Sequence, residues 1–137
     1  MRFPNTTIAA AVLSFLFLLP GISLAGMDRT TDARLFRLEL QPEPARPIVG
    51  INAAVLTVVD ARSNRPVDDA VIEVVPWMTM HGHGSPKKPA IKKTGSGQYR
   101  VENIFYTMEG DWDLMVNVVK GDARDSATFS IVNVKRK

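Results

Sequence analysis

The sequence contains no cysteine among its 137 residues. A disulfide framework, a thiolate metal site and a cysteine nucleophile are therefore excluded. Histidine is scarce as well, because the only two, His81 and His83, lie two positions apart. Chemistry that needs histidines from distant parts of a fold is excluded with them. The net charge of +3, from 17 Lys and Arg against 14 Asp and Glu, is too small to indicate a nucleic-acid-binding protein.

The first 25 residues have the composition of a cleavable signal peptide. Arg2 gives a positive start, Ile8 to Leu19 form an apolar stretch, and small residues stand at Ser23 and Ala25. This stretch is shorter than the roughly 20 apolar residues that cross a bilayer as a helix. We expect cleavage after Ala25, no membrane span in the mature chain, and a periplasmic or secreted protein. Retention of residues 1–25 as a membrane anchor is the alternative.

A hydrophobic period of two, rather than 3.6, runs through the mature chain. Trp112, Leu114 and Val116 alternate with more polar positions, for example. We expect residues 26–32 to be a flexible lead-in and residues 33–137 to form one domain. The strands expected from this pattern are 33–41, 51–60, 67–76, a weak edge strand at 88–93, a short strand at 99–101, 112–119 and one around 127–131. The sequence therefore predicts an all-β fold, an immunoglobulin-like antiparallel β-sandwich of about seven strands.

One segment, residues 77–86, has a composition that a sandwich scaffold does not require. It holds two methionines and both histidines within six positions, at Met78, Met80, His81 and His83. Thioether sulfur and neutral imidazole together are ligands for copper, and thioether favours Cu(I). The segment contains neither carboxylate nor thiolate, which argues against magnesium, calcium and structural zinc. The sequence thus predicts a copper site, with Cu(I) favoured.

Two further residues are candidates for this site, and each has a structural alternative. Met108 lies in a turn that we expect at the same end of the sandwich, and it is either a fifth ligand or an ordinary loop methionine. Trp77 either covers the metal with its ring face or is a core residue at a strand end. For the whole segment the alternative is an inert loop, with methionines filling gaps in the core and histidines in solvent.

Four lysines follow the Met/His segment closely. Lys87 and Lys88 form a candidate docking patch for an acidic partner domain, and Lys92 and Lys93 continue it. The simpler interpretation is a solvated strand edge that discourages aggregation. We therefore expect a periplasmic or membrane protein as the partner, and no nucleic acid.

Enzymatic activity is not expected. Ser85 lies near His83, but no third residue completes a catalytic set within reach by sequence. The glycines of the chain match neither nucleotide-binding fingerprint.

Several segments resemble the YtkA-like and FixH-like families of exported domains, over roughly residues 50–134. The most specific are the Met/His segment from Trp77 to Gly84, and the turn that leads through Thr107, Met108 and Gly110 to Trp112. The resemblance implies a small β-sandwich linked to copper supply for respiratory oxidases or to metal handling. The residues that match the Met/His pattern of these families are Met78, Met80, His81, His83 and Met108.

The first hypothesis is therefore an exported copper-binding protein that carries or buffers Cu(I) in the periplasm. The alternative is a non-enzymatic protein–protein interaction module, or an accessory domain of an oxidase-assembly or metal-efflux system.

Overall fold

The computed structural model describes residues 26–137, so the expected signal peptide, residues 1–25, lies outside the described part of the chain. Within residues 26–137 all regular secondary structure is β-strand. No helix in this part of the chain has the length and hydropathy that crossing a bilayer requires. The strands are β1 (Met27–Thr30), β2 (Phe36–Glu43), β3 (Gly50–Asp60), β4 (Val71–Met78), β5 (His83–Gly84), β6 (Ala90–Gly95), β7 (Gln98–Tyr106), β8 (Gly110–Lys120) and β9 (Ala123–Val134).

The strands form two antiparallel sheets that enclose one core. The first sheet has the order β1-β2-β3-β7-β6, and the second has the order β5-β4-β8-β9. Each central strand buries alternate residues, as the period of two predicts: Leu114, Val116 and Val118 of β8 are fully buried. The expected all-β antiparallel sandwich is confirmed, with nine strands in the described residues instead of about seven.

The expectation of a flexible lead-in at residues 26–32 is wrong. Strand β1 pairs with β2 along its whole length, from Met27 opposite Leu40 to Thr30 opposite Arg37. The hydroxyl of the next residue, the buried Thr31, donates to the carbonyl of Phe36 at 3.1 Å. Backbone pairing at a sheet edge needs no apolar side chains, which is why this polar segment gives no hydrophobic period.

The third expected strand begins at Val71 rather than at Val67. Val67 is buried, but its carbonyl accepts a hydrogen bond of 2.6 Å from the Tyr99 hydroxyl, and its N–H donates to Val58. The segment 67–70 is therefore a connection that crosses the end of the core.

The register of β4 against β8 determines which loops meet at one end of the sandwich. Trp77 lies opposite Asp113, and the strands run antiparallel. The end of β4 consequently lies beside the start of β8. This places the β4–β5 hairpin, which contains the Met/His segment, next to the β7–β8 turn at residues 107–109.

Candidate metal centre

The Met/His segment folds as a tight β-hairpin. The carbonyl of Met78 accepts hydrogen bonds from the N–H groups of His81 at 3.1 Å and Gly82 at 2.9 Å. Gly82 has φ +65°, a left-handed conformation that glycine adopts without steric cost. The turn closes on the pair Met78 and His83, which are Cα partners. Because directly opposed residues share a face of a sheet, both side chains point to the inner side.

Met78 is buried and reaches the turn before β8. A Cβ added to Gly110 would lie 2.8 Å from the terminal methyl of Met78, so the thioether packs directly against this glycine. Gly110 also has φ +126°, which other residues rarely adopt. A side chain at Gly110 would therefore occupy the space that the end of the Met78 side chain fills.

Met108 belongs to the same turn. Its side chain is half-buried and packs against the core. Its carbonyl accepts a 3.1 Å hydrogen bond from the indole Nε1 of Trp112. The turn is thus fixed to the first buried residue of β8, and Met108 lies at the same end of the core as Met78.

His83 stands against the indole of Trp112, with 5.7 Å between ring centroids and 81° between ring planes. Its Nδ1 lies 3.2 Å from the Gly84 carbonyl oxygen. Because a carbonyl only accepts, this hydrogen bond requires the proton on Nδ1 and leaves Nε2 of the neutral ring with a free electron pair. A ring held in this way is prepared to bind a metal through Nε2.

His81 lies at the exposed side of this group. Its ring centroid is 6.0 Å from that of His83, and its side chain is in solvent. The structure therefore brings all five candidate ligands to one end of the sandwich. Met78 and Met108 lie towards the core, half-buried His83 lies nearer the surface, and His81 and Met80 are exposed.

Met80 lies at the hairpin tip, where its side chain is 86% exposed. It borders a shallow depression together with Asp111, Trp112 and Val132. Unlike Met78 and Met108, it does not pack against the core.

Trp77 also lies on the outer face, since it precedes the inward-facing Met78. It is 37% exposed, and its ring lies across Gly84, where an added Cβ would come within 3.1 Å of Cε3. The interpretation of Trp77 as a core residue is wrong. The indole beside the histidines is Trp112, which the sequence indicates only as a core residue of a strand.

The inner side of this group is aromatic and apolar. The ring centroid of Tyr106 lies 5.4 Å from that of Trp112. Burial raises the pKa of the Tyr106 phenol far above its ordinary value, so the hydroxyl stays protonated at neutral pH. Tyr106 and Trp112 therefore add no charge to this end of the core.

Carboxylates near the hairpin are engaged in other contacts. Asp113 accepts a 2.5 Å hydrogen bond from the Thr79 hydroxyl. Asp111 accepts one from the N–H of Asn133, and Glu109 accepts one from the N–H of Arg136. Within residues 26–137 no three His, Asp or Glu side chains are close enough to share a metal ion. The donors available here are thioether and imidazole, which fit copper and do not fit a hard cation.

The two lysines of the expected docking patch lie farther along the chain, beyond β5. The ammonium of Lys87 is 5.8 Å from the centre of the Phe105 ring, and that of Lys88 is 3.6 Å from a Glu73 carboxylate oxygen.

A family model described as YtkA-like matches residues 32–117. The chain belongs to the YtkA-like family. The resemblance noted from the sequence is thereby confirmed for this family. No curated protein matches the sequence.

Two similar solved structures are of FetP from uropathogenic E. coli strain F11. The as-isolated protein, expressed in the periplasm of E. coli, is 10% identical over 80% of this chain and 94% of that chain, with a TM-score of 0.53. A copper-bound variant of FetP is 11% identical over 80% of this chain and 95% of that chain, with a TM-score of 0.52. At such identities the likeness concerns the fold.

Proposed function

We propose that this YtkA-like protein binds copper as Cu(I), at the end of the sandwich where Met78, His83 and Met108 surround Trp112. The observation that carries the proposal is the cross-strand pair of Met78 and His83, whose side chains share the inner face beside Trp112. Two thioethers and one imidazole form an uncharged soft donor set that suits Cu(I). His81, 6.0 Å from His83, is a fourth donor at the solvent side.

The proposed site suits carriage or buffering of copper more than catalysis. Its inner donors are held by packing, while His81 is open to solvent. A ligand of an acceptor protein is then able to enter from the His81 side before the inner donors release the metal. We accordingly propose a non-enzymatic carrier or buffer of Cu(I).

Periplasmic residence is the second part of the proposal. It is supported by the signal-peptide pattern of residues 1–25. It is also supported by the fold shared with FetP, which has been expressed in the periplasm and described in a copper-bound form.

A competition titration against a chromophoric Cu(I) chelator tests the proposed site. Met78→Leu keeps an apolar side chain of similar volume and removes the sulfur. We expect this variant and His83→Ala each to lose about tenfold or more in Cu(I) affinity, equivalent to about 1.4 kcal/mol. Met115→Leu is the matched control, because Met115 faces outward on β8. Equal affinities in the wild type, Met78→Leu and His83→Ala would reject the site.

A further inference from the structure

Strand β4 has an open edge beyond the short strand β5. Strand β5 pairs only with Trp77 and Met78, which leaves Val71–Pro76 without a neighbour on that side. The carbonyl of Met78 points to the β5 side, where it accepts from Gly82. Because peptide groups of alternate residues point the same way along a strand, the N–H and C=O groups of Ile72 and Val74 face the open side.

The position of Pro76 also indicates that the peptide groups of Ile72 and Val74 face the open side of β4. A proline has no N–H, so within a sheet it occupies positions whose nitrogen faces away from a partner strand. Pro76 and Val74 have the same parity along β4. No hydrogen bond within residues 26–137 reaches the peptide groups of Ile72 and Val74 on the open side.

A groove runs along this open edge. One wall is β4 from Glu73 to Trp77, and the other is the segment from Gly84 to Pro89. The groove has a volume of about 570 Å³. A strand added to β4 would lie in this groove, about 4.8 Å from the edge.

The edge strand β6 of the first sheet and the open edge of β4 in the second sheet differ in the residues that discourage pairing with another strand. Strand β6, the edge of the first sheet, has Lys92 and Lys93 in its middle, and lysines on an edge discourage pairing. The open part of β4 has no lysine, and Val71 is 72% exposed. Between Val71 and Val75 the edge of β4 therefore has only Glu73 as a charged residue and no lysine.

Charge around the groove indicates which kind of chain fits it. Lys87 and Lys88 lie on the wall opposite β4, and the Lys88 ammonium is 3.6 Å from the Glu73 carboxylate across the groove. Both partners of this ion pair are largely in solvent, where such pairs exchange readily. A carboxylate from an incoming chain would compete with Glu73 for Lys88, and a second one could pair with Lys87, which lines the same wall.

We propose that the edge of β4 at Ile72 and Val74 docks an extended acidic segment of a partner protein as an added β-strand. Backbone hydrogen bonds to Ile72 and Val74 supply the pairing, and Lys87 and Lys88 select acidic side chains. The docked segment would end next to the β4–β5 hairpin. This inference goes beyond the copper proposal, because docking requires no metal.

The test uses the metal-free protein and a fluorescein-labelled hexapeptide of alternating valine and glutamate. We expect binding by fluorescence anisotropy, and NMR hydrogen exchange that becomes slower for the Ile72 and Val74 amides. The amides of Glu73 and Val75 face β8 and should be protected both with and without the peptide, so they serve as the internal reference. A hexapeptide of alternating valine and lysine should not bind.

Charge-reversal variants supply the matched comparison. Lys87→Glu combined with Lys88→Glu should weaken peptide binding about tenfold or more, whereas Lys92→Glu combined with Lys93→Glu should not. Absence of binding, or slower exchange at β6 in place of Ile72 and Val74, would overturn the proposal. So would a dimer by light scattering in which both amides are already protected, because a second copy would then occupy the edge. Cu(I) affinity is measured on the same samples. The charge-reversal variants should keep it unchanged, so a failure of peptide docking is distinguishable from a failure of copper binding.

Discussion

The imidazole of His83 stands edge-on against the indole of Trp112, with 5.7 Å between their centroids. This contact links the exposed hairpin to the first buried residue of β8, whose Nε1 in turn holds the Met108 carbonyl. A metal bound at His83 would therefore lie close to a buried indole. The other tryptophan, Trp77, is on the outer face and senses a different environment.

The first prediction uses Trp112 as a spectroscopic reporter. In the variant Trp77→Phe, Trp112 is the only tryptophan, and we expect its fluorescence to fall as copper is added, until one equivalent is bound. Adding His83→Ala to the same background should remove most of this response. Quenching of equal extent and midpoint in both proteins would show that copper binds away from His83.

The second prediction concerns the glycine that accommodates Met78. Gly110→Ala should destabilise the fold, both through φ +126° and because the new methyl would lie 2.8 Å from the Met78 methyl. Gly50→Ala is the matched control, since Gly50 has φ +110° and nothing within 4 Å of an added Cβ. We expect Gly110→Ala to cost about 1 kcal/mol more than Gly50→Ala in urea unfolding, because buried Met78 must shift its terminal methyl. Only Gly110→Ala should also lower Cu(I) affinity, and equal effects of the two changes would contradict the packing role of Gly110.

The third prediction follows from a buried carboxylate at the opposite end of the sandwich. Asp125 is 8% exposed and accepts hydrogen bonds from the N–H groups of Ala33, Leu35 and Ser126. Burial by itself would raise the pKa of Asp125, but the hydrogen bonds from these N–H groups outweigh it and hold the pKa below its ordinary value. Asp125 therefore binds its proton less readily in the folded protein than in the unfolded chain.

The unfolded chain takes up this proton first as the pH falls, so the stabilisation from Asp125 is complete at neutral pH. It declines as the pH falls below about 4, the ordinary range of an aspartate, and through the folded-state pKa. Asp125→Ala, which leaves backbone N–H groups unpaired, should cost about 3 kcal/mol in urea unfolding at pH 7 and less at pH 3. Asp122→Ala at an exposed turn position is the control. A cost that does not change with pH would refute the ionic role of Asp125.

The fourth prediction separates the inner donors from the hairpin tip. Because Met80 is 86% exposed and does not pack against the core, Met80→Leu should leave equilibrium Cu(I) affinity within about twofold of the wild type. Met108→Leu should lower the affinity about tenfold or more. Competition titration of both variants in parallel is the measurement. The reverse order of effects would place the site at the tip.

The central strands could be predicted from the sequence because their two faces differ. In β8, inward Trp112, Leu114 and Val116 alternate with positions such as Asp113 and Asn117, so the buried face is evident. Strand β1 gave no such signal, since edge pairing needs backbone groups only. The two-residue β5 is too short for any period.

For the candidate site, the sequence indicates which residue types could bind a metal. It does not indicate on which face of the sheet each side chain lies. In β4 both faces are apolar, with Ile72 and Val74 inside and Val75 and Trp77 outside. A period of two therefore does not decide which tryptophan lies beside the histidines. The contact between Met78 and Gly110 depends on the register of β4 against β8, which joins residues far apart in the sequence.

X-ray absorption at the copper edge of the Cu(I)-loaded protein identifies the atoms bound to the metal. In the wild type we expect both sulfur and nitrogen among the copper ligands. In Met78→Leu the sulfur contribution should fall while the nitrogen contribution persists. Ligation by nitrogen and oxygen alone, or an unchanged sulfur signal in Met78→Leu, would show that the Met78 thioether does not bind copper.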